Sequence, residues 1–134
     1  MDQHNSISPA LALAIAQRTA SVNGATIDLV GFSDVTFVIQ TAATTTADAD
    51  NRFDFKIQHS NDNSTWEDVA AADVQGSASI NAATQDDVIV GKMSYTPTEN
   101  SPRRYVRLVA TEVGTADSTF GAIAIRGGAR KMPV

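Results

Sequence analysis

His59, Ser60 and Asp62 are the residues whose types together spell a base, a nucleophile and a carboxylate. Hydrolysis by such a trio needs each group to meet the next in space. His59 and Ser60 are adjacent in an alternating segment, however, and neighbours on a strand point to opposite faces. A histidine at a hairpin mouth, bonded to turn backbone, accounts for the same residues without catalysis. The other histidine, His4, falls in an N-terminal stretch where chains are commonly loose. No Gly-rich phosphate loop follows a strand, and without cysteine there are neither disulfides nor thiolate metal sites. The chain reads as a non-enzyme.

Oxygen ligands are more plentiful. Asn61, Asp62, Asn63 and Asp68 cluster near one loop, and Asp48, Asp50, Asp86 and Asp87 supply more. Calcium takes such oxygens, but no stretch has the EF-hand spacing that closes on a bidentate Glu. Loop carboxylates commonly serve turns and solubility, so no metal ligand and no cofactor site is assigned. For stacking a sugar, the platforms are Trp66, Tyr95 and Tyr105. Trp66 lies where a hairpin returns, and the high average burial of Trp favours a place in the core.

The elements that must position these groups are strands. Phe53, Phe55 and Ile57 alternate with Asp54, Lys56 and Gln58, the period of a strand buried on one face. Ser60-Asn61-Asp62-Asn63-Ser64 reverses the chain, and Trp66 and Val69 are expected to point the returning strand into the core. Ala10 to Gln17 is nearly continuous in apolar residues; Leu11, Leu13 and Ile15 alternate with Ala, which favours a strand over a helix. Asn23-Gly24 signals a tight turn between Thr19-Val22 and Ala25-Val30. Further strands are expected at 35–40, 88–93, 104–111 and 120–126, with 41–51 and most of 70–87 as loop. Seven or eight strands with polar turns predict an all-β fold, an antiparallel β-sandwich of jelly-roll type. It reads as a single domain over residues 1–134, with a short N-terminal arm and a C-terminal tail at 129–134.

Charge limits the partners. The net charge is -5, yet residues 1–100 carry 13 acidic and 4 basic side chains while residues 101–134 carry 2 acidic and 6 basic. An acidic body disfavours nucleic acid, and the basic end suits an acidic protein neighbour or a solvated strand face. The longest apolar run, 10–16, is far too short to span a bilayer and lacks a basic leader. No membrane partner is expected, and the chain is expected to be soluble, made in the host cytoplasm and not exported.

Three stretches together carry a family likeness: Phe55 to Trp66, Arg103 to Thr111, and Ala122 to Arg130 with Pro133 near the end. Over about the last eighty residues they resemble small capsid proteins of tailed bacteriophages, the cement or decoration proteins. The likeness implies a structural virion protein on the outer capsid surface, often trimeric, that binds the major capsid protein lattice and stabilises the head. The segments outside the best-patterned strands are the candidates for reaching neighbouring subunits: Leu11, Leu13 and Ile15 near the start, and Arg126, Arg130, Lys131, Met132 and Val134 near the end. The hairpin motif is also similar to one in discoidin-like sugar-binding domains. A carbohydrate- or receptor-binding module of a phage tail or capsid surface therefore stays open, as does a tail or connector role.

Overall fold

The computed structural model describes residues 3–97 and 102–128. The chain is all-β. Its strands are β1 (Ser8–Arg18), β2 (Val22–Asn23), β3 (Ile27–Asp28), β4 (Asp34–Thr46), β5 (Arg52–Ser60), β6 (Glu67–Asp68), β7 (Val74–Gln75), β8 (Ser79–Ile80), β9 (Ile89–Tyr95), β10 (Tyr105–Val113) and β11 (Asp117–Gly127). Six long strands carry the fold, and the five two-residue segments stitch its sides. The sandwich expected from the alternating pattern is present. A first sheet runs β1-β11-β4-β9-β7; a second runs β2-β10-β5-β6, with β3 also on β10 and β8 on β5. Every pairing is antiparallel. Among the described residues no helix is long and apolar enough to cross a membrane.

Alternation puts Val35, Phe37 and Ile39 of β4 inside, opposite Phe53, Phe55 and Ile57 of β5. Phe120 of β11 joins the layers. Its ring lies 5.0 Å from Phe53 and 5.4 Å from Phe55, the second edge-on. Such geometry adds to area burial by setting ring edge against ring face.

Short ties cross both flanks of the sandwich. On one, Gly24 N–H donates to Leu108 O at 2.7 Å and Ala25 N–H to Ala12 O at 2.8 Å, tying β10 of the second sheet to β1 of the first. On the other, β7 pairs with β9 and β8 with β5. Unpaired strand edges are what invite further strands, and these short ties cover part of each edge.

The structure departs from expectation at three places. Asn23-Gly24 makes no hairpin: β2 and β3 both run antiparallel to β10, so the chain passes straight through. Glycine is needed there because a Cβ would lie 2.6 Å from Leu108 O and 2.9 Å from Ala12 O. Residues 41–46 are strand rather than loop, since the Thr44 hydroxyl bonds Ser118 Oγ at 2.9 Å and Gln85 O at 3.0 Å inside the sheet. Trp66 is not in the core. It is half-buried on the outer face of the second sheet, with the Arg107 guanidinium 4.3 Å above its ring.

Truncating Phe120 to Ala should remove the contact that both sheets share. The expected loss is ~3–5 kcal/mol of unfolding free energy with the strand content kept, read by denaturant titration followed by circular dichroism.

Candidate functional site

His59 is buried at the inner end of β5, where alternation continues the Phe53-Phe55-Ile57 face. Its Nδ1 lies 3.0 Å from the Tyr95 hydroxyl of β9, with the rings edge-on at 5.7 Å. The phenolic oxygen also accepts the Arg103 N–H at 3.2 Å. Burial, and then the charge of Arg103, hold the imidazole below its ordinary pKa of 6.5. Burial also pushes the Tyr95 phenol up. Ser60 Oγ donates to Asp62 Oδ1 at 2.9 Å rather than to the histidine. The trio therefore forms no relay: histidine bolts the two sheets, while serine and aspartate build a turn.

The carboxylates of the loops are likewise engaged in local structure. Asp62 Oδ1 accepts the Ser64 and Thr65 N–H groups, and with Ser60 these lower its pKa to about 2. Asp48 is lowered in the same way by the Asp50 and Asn51 amides. Among the described residues no group of three or more His, Asp or Glu side chains is placed to hold a metal ion. Of the aromatic platforms, Tyr95 is fully buried, and one face of Tyr105 takes the Arg104 guanidinium at 5.0 Å.

The outer faces of the two sheets differ. That of the second is polar and internally paired. Lys56 meets Asp68 at 3.1 Å, Arg52 meets Asp54 at 3.0 Å, and Arg107 donates twice to Gln58 Oε1. That of the first sheet is aliphatic at its centre, with Thr36, Ser94, Gln40 and Lys92 beside the apolar side chains. Register sets its side chains in rows across the strands: Pro9, Ile125, Thr36 and Ser94; then Leu11, Ile123, Val38 and Lys92. A third row holds Gly121, Gln40 and Ile89, with Ile15 of β1 folded over the glycine. β1 bulges between Leu11 and Leu13 and again before Ala16, which brings Ile15 to this face. Leu11 is 61% exposed, Ile15 59%, Ile89 66% and Ile123 46%. Between the rows runs a groove of about 220 Å³ with no charged side chain in its lining. Contiguous exposed apolar patches are where interaction surfaces are commonly found.

The structure thus brings Leu11 and Ile15 together with Ile89, Ile123 and Val38. Leu13 lines the same groove from below. It pairs with inward-facing Ala122, is 4% exposed and belongs to the core beneath the groove. Arg126 stands apart, at one end of the sandwich, bonded to Ser8 Oγ at 2.8 Å and Asp28 O at 3.2 Å and stacked on Phe32. Arg130, Lys131, Met132 and Val134 lie outside the described residues. A larger groove of about 310 Å³ at the Arg126 end includes Val30, Arg103 and Arg104, whose guanidiniums are taken by Glu67 and Asp28. Sequence reading missed Ile89, Ile123 and Val38. The signal available was apolar residues on both faces of one strand, Phe120 and Ala122 against Ile123 and Ile125.

No family model matches the chain, and no curated protein matches it in sequence. Solved structures similar to it include the following two. One is the SPBc2 prophage-derived protein YomS, at 12% identity over 90% of this chain and 93% of that one, with a TM-score of 0.47. The other is the structure of infectious bursal disease virus Gx strain, at 15% identity over 95% of this chain and a TM-score of 0.47. This chain spans 33% of that one.

His59 makes stability depend on pH. Its folded pKa is depressed, so its contribution is intact above the unfolded value of 6.5 and is lost as pH falls towards the folded one. Unfolding free energy measured between pH 7.5 and 5 should decline below about 6.5, by at most ~1.4 kcal/mol per pH unit from this group. In His59→Gln the decline should be shallower.

Proposed function

We propose that this chain is a structural virion protein, a cement or decoration protein of a tailed-bacteriophage head. It acts by docking on the major capsid protein lattice at the outer surface. The observation that carries the reading is the exposed aliphatic cluster of Leu11, Ile15, Ile89 and Ile123 around a groove with no charged side chain in its lining. The sequence likeness to such proteins supports the same conclusion. A stiff body with one adhesive face suits a protein whose work is to bridge surfaces.

Stabilisation then follows from mass action. A chain that binds the assembled shell, and not its separated subunits, shifts the balance towards the shell in proportion to occupancy. As a homotrimer it would multiply modest contacts through effective concentration. The C-terminal tail with Arg130, Lys131, Met132 and Val134 is a second proposed contact.

Shells of the encoding phage prepared without this protein provide the test. Added wild-type chain should co-sediment with them and raise the temperature at which they rupture. Leu11→Asp and Ile123→Asp, both at exposed positions, should each weaken binding at least about tenfold, since a buried aliphatic side chain contributes ~1.5–3 kcal/mol. Their own melting temperatures should stay near wild type. Wild-type chain that ignores the shells would refute the proposal.

A further inference from the structure

Lys92 occupies the end of the row Leu11, Ile123, Val38, directly opposite Val38 across the β4–β9 pairing. Its place on β9 aligns it with Ser94, whose hydroxyl meets Thr36 Oγ1 at 2.8 Å on the same outer face. Lys92 is exposed, and none of the ion pairs among the described residues uses it. This contrasts with the other sheet, where Lys56, Arg52 and Arg104 each have a carboxylate. In a chain with 15 acidic side chains, the apolar face holds one cation at its margin and no compensating anion in its groove.

We propose that the segment seated on this face is apolar at its centre and carries an Asp or Glu on the β9 side, where it pairs with Lys92. The inference rests on the lattice-docking reading and adds the chemistry of the partner. Neighbouring strands lie ~4.8 Å apart, so the carboxylate sits about two strand spacings, ~10 Å, from the side chain that covers Ile123. An extended partner strand laid across the groove covers that distance in about three residues. Apolar burial supplies the hold. The charge pair selects the partner and its direction, because a rim charge governs encounter and orientation more than final affinity.

The same phage shells, lacking the chain, serve as probe for wild type, Lys92→Arg, Lys92→Glu and Leu11→Asp, at low salt and at ~0.5 M NaCl. Lys92→Arg should bind like wild type. Lys92→Glu should bind roughly tenfold more weakly at low salt, chiefly through slower association, with the gap closing at high salt as charges are screened. Lys92→Glu that matches wild type at low salt, while Leu11→Asp fails, overturns the carboxylate partner and leaves the docking face standing. If Leu11→Asp also matches wild type, or wild type does not bind, the docking reading falls and this inference with it. Thermal melts of all four chains should coincide within a few degrees, since both positions are solvent-facing.

Discussion

Phe120 reaches across from one sheet and sets its ring against Phe53 and Phe55 of the other, and the rest of the molecule is arranged around that contact. A sheet face is stable only when something covers it. Here the inner faces cover each other, and the aromatic cluster fixes how they meet. At the far end of the same interface His59 and Tyr95 make a polar bolt between β5 and β9. Of the groups that looked most capable of chemistry, His59 joins the two layers while Ser60 and Asp62 build the turn after β5. Burial that would tune a catalytic histidine here lowers the pKa of His59 and favours its neutral form.

Once the interior is committed, the flanks and outer faces are what remain. The flanks are occupied by short pairings: residues 22–28 reach β10 and β1, and residues 74–80 join β9 to β5. The second sheet's outer face neutralises itself through ion pairs and the Gln58–Arg107–Trp66 stack. Exposed pairs of this kind contribute little stability, but they leave that face few unmatched charges. The first sheet's outer face has no such network. It presents aliphatic side chains around a groove, with Lys92 at the margin. One outer side is thus polar and self-satisfied, and the other is aliphatic at its centre.

Much of the fold was legible in the residues. The alternation in 53–58 and the carboxylate of Asp62 gave the strand and its turn, because period-two patterning and side-chain capping are local effects. Where reading failed, a distant partner had overruled a local signal. Asn-Gly commonly turns a chain, yet Gly24 is there to let two backbones approach. Thr and Ala at 41–46 look like loop until β11 pairs with them. Trp66, a natural core residue by type, stays outside because Arg107 of β10 covers it. The candidate face was half legible: Leu11 and Ile15 were singled out, whereas Leu13 of the same run is core.

By itself the sequence determined that the chain pleats, that it has no thiol chemistry, and that the N-terminal run is apolar enough to matter. It could not decide which side of each strand faces inward, because β1, β4 and β11 carry apolar residues on both. Only the tertiary structure settled that, through register. Hydrogen-bond pairing across β1, β11, β4 and β9 brings Leu11, Ile123, Val38 and Lys92 into one row, although they lie far apart along the chain. A two-residue period says that two faces exist; which one meets the other sheet depends on the partner strands and their bulges.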